Sequence, residues 1–86
     1  MFEIEDEAHA ELLGEFPTFE AAKAELHRLS ELPWDQAPNI APCRGWRTCG
    51  RKYEVVEYDT RGEHWQEIDR RPMLNISAEK VEWLLP

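Results

Sequence analysis

The chain has 86 residues, of which 42% are hydrophobic and 33% are charged, and its formal net charge at pH 7 is −8. This balance predicts one folded globular domain over residues 1–86 and excludes a disordered chain, which combines low hydrophobicity with high charge. Charged residues interrupt every apolar stretch before the roughly 18 residues that a membrane span requires, so we expect no membrane partner. The acidic balance also disfavours nucleic acid as a partner, because its binding requires Lys and Arg to neutralise phosphates.

The first seven residues contain four acids, where a secretory signal would carry basic residues followed by an apolar stretch. We therefore expect a cytoplasmic protein, in a compartment that keeps thiols reduced. Cys43 and Cys49 are predicted to be free, with a disulfide between them as the alternative. Their C-x5-C spacing is wider than the usual zinc-binding pairs, so neither a metal nor another cofactor is predicted.

In chain order, the first predicted element is a β-hairpin. Apolar and acidic residues alternate over residues 2–5, and residues 11–16 can pair back with them across a turn. The alternative is a short helix over residues 5–13, because apolar residues there keep a four-residue spacing and Gly14 can cap the helix end.

An amphipathic helix is predicted next, over residues 18–32. Thr18 is a favoured N-cap residue, and Glu20 places a negative charge in the first turn, where the helix dipole stabilises it. Apolar residues then recur at helical spacing. Pro33 ends the element, because proline disfavours helical backbone in the residue before it and has no amide donor.

The second half of the chain predicts another hairpin. Residues 52–58 are rich in aromatic and β-branched residues, which favour a strand, and residues 59–62 match a type I turn. A returning strand is predicted over residues 64–70, and a short edge strand over residues 73–76. Ser77 is predicted as the N-cap of a short C-terminal helix. These elements predict a two-layer α+β fold, in which the long helix packs on an antiparallel sheet of about four strands.

The region between Pro33 and Lys52 has no helical or alternating pattern. Residues 35–52 contain one acid and four bases, in a chain that is otherwise acidic. Long irregular loops in small domains are often functional. Arg and Trp are favoured anchors in interfaces, and the guanidinium group matches carboxylates. The predicted binding residues are therefore Arg44, Trp46, Arg47 and Arg51.

A structural role for the same residues is the alternative interpretation. Trp34 and Trp46 can complete a thin core, and the arginines can pair with acids of the chain's own surface. The functional interpretation predicts a non-catalytic interaction or regulatory domain, which binds another protein or an anionic ligand through residues 43–51. A further alternative is that the acidic surface itself binds a basic protein.

Enzymatic chemistry has weaker support in the sequence. A small Cys-dependent enzyme or redox protein would require Cys43 or Cys49 to meet His64, with Asp59 orienting the imidazole ring. Neighbouring arginines favour this by lowering the pKa of a thiol. The chain has no phosphate-binding glycine motif, nucleophile elbow or metalloprotease motif. We therefore predict no catalytic residue.

Overall fold

The computed structural model describes residues 1–40 and 50–84 of the chain. Within these residues the protein is an α+β domain, in which one helix packs on a five-stranded antiparallel sheet of order β2-β1-β3-β4-β5. The elements are β1 (Phe2–Asp6), β2 (Glu11–Phe16), α1 (Phe19–Ser30), β3 (Arg51–Asp59), β4 (Gln66–Ile76) and β5 (Val81–Trp83). The predicted fold class is thus confirmed at the level of α+β, with one strand more than expected.

The N-terminal hairpin is confirmed, and the alternative helix over residues 5–13 is wrong. β1 and β2 pair antiparallel, with a register shift between Glu3 and Glu5. Gly14 lies beside this shift with φ +99°, a backbone conformation that glycine adopts more readily than other residues. Gly14, which the alternative interpretation placed at a helix end, therefore lies at an irregularity in the pairing of two strands.

The long helix is confirmed, and it ends two residues earlier than predicted. The Thr18 hydroxyl accepts a hydrogen bond from the Ala21 amide at 3.1 Å, as expected of an N-cap. Ala22, Leu26 and Leu29 are buried against the sheet. No helix in residues 1–40 and 50–84 has the length and apolar character needed to cross a membrane.

The break predicted at residues 70–72 is wrong, because β4 runs through it from Gln66 to Ile76. The register between β3 and β4 shifts where Tyr53 pairs with Leu74 and Glu54 pairs with Pro72. Proline cannot donate to a strand ladder and is tolerated at such irregularities. The strand predicted to begin at residue 64 begins at Gln66 instead.

The predicted C-terminal helix is also wrong, because those residues form β5. The Ser77 hydroxyl accepts from the Glu79 amide at 3.3 Å, and the Ser77 amide donates to the Lys80 carbonyl at 3.0 Å. This closes a turn rather than opening a helix. Trp83 then lies opposite Leu74 and packs against the core, which stabilises the strand.

The hydrophobic core lies between α1 and one face of the sheet. Its buried residues come from the helix and from three strands, and they are Ile4, Ala22, Leu26, Leu29, Tyr53, Val55, Met73, Leu74 and Ile76. Trp34 packs against this cluster from the segment after the helix. The structural interpretation of Trp34 is therefore supported.

Gly50 provides a test of how closely the start of β3 approaches β4. A Cβ atom at Gly50 would lie 2.4 Å from the Ile76 carbonyl oxygen, whereas one at Gly62 would meet nothing nearer than 3.8 Å. We expect Gly50→Ala to lower the unfolding free energy by about 1–3 kcal/mol through overpacking. Gly62→Ala is the control and should change it by under about 1 kcal/mol in the same urea titration. Equal effects of the two substitutions would contradict the close approach.

Candidate functional site

The predicted binding residues fall into two groups. Arg44, Trp46 and Arg47 lie outside the described residues, as do both cysteines, so predictions about them stay predictions. Arg51 is the first residue of β3, and only 6% of its surface is exposed. Its place in the structure is therefore known, and it lies where the chain leaves the 41–49 segment.

The Arg51 guanidinium group uses four of its five N–H donors within the protein. Nη1 donates to the Asp6 carboxylate at 2.8 Å and to the Glu11 carboxylate at 2.5 Å. Nε donates to the Pro38 carbonyl at 3.1 Å, and Nη2 donates to the Ile40 carbonyl at 2.8 Å. One side chain therefore joins the first hairpin to the segment that precedes residue 41.

Asp6 is the main acidic partner, and it is fully buried. Its Oδ2 accepts from Arg51 and lies 2.6 Å from the His9 Nδ1 atom. Its Oδ1 accepts from the Ala8 amide at 3.1 Å and the Lys52 amide at 3.0 Å. A buried charge with this many partners is compensated, so Asp6 can stay ionised in the interior.

These contacts decide the protonation of Asp6. Burial alone would raise the pKa of the carboxyl group, but the hydrogen bonds from Arg51, the Lys52 amide and His9 outweigh it. The pKa of Asp6 therefore lies below its ordinary value of 3.8.

Asn39 fixes the same segment to the core. Its Nδ2 donates to the Leu29 carbonyl at 2.8 Å, and the Leu32 carbonyl lies 3.3 Å away. Its Oδ1 accepts from the Tyr53 hydroxyl at 3.0 Å. Burial raises the pKa of Tyr53 to about 12, so the hydroxyl stays protonated as a donor. Asn39 thus satisfies carbonyl groups that the helix end leaves without intrahelical partners.

We call this set the anchor network, consisting of Asp6, Glu11, Asn39, Arg51 and Tyr53. It holds the chain at residues 38–40 and again at residue 51, so both ends of the 41–49 segment are fixed to the sheet. The basic composition of residues 35–52 identified Arg51 as a candidate, but its partners Asp6 and Glu11 on the first hairpin were not predicted. An Asp at a strand end carries no local signal that distinguishes it from the surface acids around it.

Gly50, the residue after Cys49, and His64 lie at opposite ends of β3. β3 has nine residues and spans about 26 Å at roughly 3.3 Å per residue. Cys49 is bonded to Gly50 at one end of the strand, whereas His64 follows the other end. Asp59, the proposed orienting group, instead pairs with Arg61 at 2.8 Å. The cysteines lie outside the described residues, so their predicted pairing with His64 stays a prediction, which the separation of Gly50 from His64 along β3 does not favour.

Two further observations concern metal binding and similarity to known proteins. No group of three or more His, Cys, Asp or Glu side chains in residues 1–40 and 50–84 is arranged to hold a metal ion. Comparison of the chain with protein-family models, with curated proteins and with solved structures found no match. The function of this chain must therefore be inferred from its own geometry.

Replacing Arg51 tests the anchor network. Because Arg51→Met leaves the Asp6 carboxylate buried without its main partner, we expect the unfolding free energy to fall by about 3–5 kcal/mol. Arg28→Met removes the exposed ion pair with Glu25 and should lower the unfolding free energy far less. Chemical denaturation of both variants measures the difference. Similar losses would show that Arg51 is no more important than a surface arginine.

The pKa of Asp6 predicts a pH dependence. Since the folded-state pKa is below the unfolded value of about 3.8, the ionised carboxylate stabilises the fold well above that pH. This contribution is lost as the pH falls through 3.8 towards the folded-state pKa. The difference in unfolding free energy between the unmodified protein and Asp6→Asn should therefore shrink between pH 6 and pH 3. A constant difference over that range would contradict the assignment.

Proposed function

We propose that this protein is a small non-catalytic interaction domain that recognises an acidic segment of another protein through residues 43–51. Arg44, Trp46 and Arg47 are the proposed contact residues. The observation that carries the proposal is that Arg51 and Asn39 fix both flanks of this segment. Fixing the ends of a recognition loop reduces the conformational entropy that binding must remove.

In this proposal the four predicted binding residues have two different roles. Arg51 is a positioning residue, because its guanidinium group is occupied by Asp6, Glu11 and two carbonyl groups. The other three supply recognition, with Trp46 as an apolar anchor and the two arginines as carboxylate ligands.

The charge pattern supports an acidic partner. Residues 35–52 carry one acid and four bases, while the rest of the chain carries 17 acids and six bases. Acids elsewhere on the domain repel an acidic ligand, so attraction is confined to this stretch. A free anionic small molecule would use the same arginines, and the experiment below distinguishes it from a protein.

The test compares two double variants with the same change in charge. We expect Arg44→Ser with Arg47→Ser to reduce the protein partner captured by the tagged full-length chain at least tenfold. The melting temperature should stay within about 3 °C, as expected of side chains that serve recognition rather than packing. Arg28→Ser with Arg61→Ser removes two exposed arginines and should leave capture unchanged.

Three outcomes would contradict the proposal. Equal loss of capture in both double variants would indicate non-specific attraction. A large fall in melting temperature for the Arg44 and Arg47 variant would assign these arginines to the structure. Saturable binding of inorganic phosphate through Arg44 and Arg47, without a captured protein, would indicate a small-anion site.

A further inference from the structure

A cavity lies at the start of β3, where this strand meets the end of β4 and the turn that leads to β5. Its volume is about 190 Å³, and the residues that line it include Gly50, Lys52, Asn75, Ser77, Lys80 and Glu82. Pockets for drug-sized ligands are larger, at about 300–1,000 Å³. The cavity therefore suits a single side chain or a small ion.

Lys52 brings an unpaired positive charge to this cavity. It is one of the four bases of residues 35–52, of which Arg51 already has internal acidic partners. Within residues 1–40 and 50–84, the Lys52 side chain forms neither an ion pair nor a hydrogen bond, whereas all five described arginines pair with acids. The chain has 18 acids and 10 bases, so an exposed lysine without an internal acid is unusual in it.

The backbone of Lys52 is held by the anchor network. Its amide donates to Asp6 Oδ1 at 3.0 Å, and its carbonyl accepts from the Glu7 amide at 2.9 Å. Asn75 lies directly opposite Lys52 on β4, so the two side chains leave the sheet on the same face. A backbone that is already fixed loses less entropy when its side chain binds a ligand.

Asn75 and Ser77 add uncharged hydrogen-bond donors to the cavity. Both residues are half-buried, and the Asn75 side chain forms no hydrogen bond within residues 1–40 and 50–84. The Ser77 hydroxyl accepts from the Glu79 amide at 3.3 Å, which leaves its own hydrogen to donate. A ligand oxygen can therefore meet an ammonium group, a carboxamide and a hydroxyl in one cavity.

The charges around the cavity match a ligand group with one negative charge. Lys80 and Glu82 pair with each other at 3.4 Å, so their charges largely cancel and the charge of Lys52 remains. A carboxylate carries one negative charge, whereas a phosphate group carries about 1.5 to 2 at pH 7. Because a phosphate would also lie close to the Glu82 carboxylate, the cavity favours a carboxylate ligand.

We propose that this cavity binds one carboxylate side chain of the acidic partner segment, with Lys52 as its counter-ion and Asn75 and Ser77 as hydrogen-bond donors. The inference rests on the proposed function and deepens it, because Gly50 belongs both to residues 43–51 and to the cavity wall. The recognition surface thus continues onto β3 and β4, and the partner supplies an Asp or Glu beyond those that contact Arg44 and Arg47.

The test is an amide NMR titration of the full-length protein with a glutamate–glycine peptide whose two ends are capped. We expect saturable shifts at Gly50 and Ser77 and in the Asn75 side-chain amide. Lys52→Gln should weaken binding about tenfold, because a charge-assisted hydrogen bond is lost. Arg61→Gln removes one positive charge at the other end of β3 and should weaken binding less than about twofold.

Asn75→Asp is a second variant, which nearly preserves the shape of the side chain. It places a carboxylate directly opposite Lys52, so the chain itself supplies the acid that the partner would bring. We expect peptide binding to weaken at least about tenfold, because the new acid both neutralises Lys52 and repels the peptide. The melting temperature should not fall by more than about 3 °C.

The outcomes separate this inference from the proposed function. Equal binding by Lys52→Gln and Arg61→Gln, full binding by Asn75→Asp, or no saturable shifts with the peptide would overturn the inference. Unchanged peptide binding by Arg44→Ser with Arg47→Ser would instead count against the proposed function. Acetate and inorganic phosphate are the small-ion probes. If either one produces the cavity shifts at the concentrations used for the peptide, the cavity is a site for a free anion and the inference is wrong.

Discussion

The ion pair between Asp6 and Arg51 is the contact on which the rest of the arrangement depends. Removing two charges from water costs several kcal/mol per ion, and the pair stabilises a fold only when its remaining donors and acceptors are also satisfied. Here Arg51 has four acceptors and Asp6 has four donors. Meeting that requirement brings the first hairpin, β3 and residues 38–40 to one corner of the sheet.

Much of the fold could be predicted from sequence because its signals are local. Thr18 and Pro33 bracket the helix, and alternation identifies the first hairpin. Ser77 shows where local signals fail. A serine oxygen that accepts an amide two residues later fits a turn as well as a helix start, and the pairing of Trp83 with Leu74 decides between them. Such long-range pairing leaves no trace in a short stretch of sequence.

The candidate site was even less predictable from local sequence signals than the fold. Composition identified Arg51 as unusual, yet its acidic partners Asp6 and Glu11 are 45 and 40 residues away along the chain. Nothing in the sequence distinguishes these two acids from the other 16. A basic stretch in an acidic chain therefore predicted an interaction surface, whereas part of that stretch provides an internal counter-ion.

The use of arginine as a counter-ion also limits which surfaces can recruit partners. All five described arginines, Arg28, Arg51, Arg61, Arg70 and Arg71, pair with acids of their own chain. Their positive charge is therefore largely neutralised where it stands, and it offers little attraction to an external anion. Acids outnumber bases in the chain by eight, so the chain keeps a net negative charge that its own bases do not neutralise. Under the proposed function, attraction to an acidic ligand therefore comes from Arg44 and Arg47, the two arginines beyond these five.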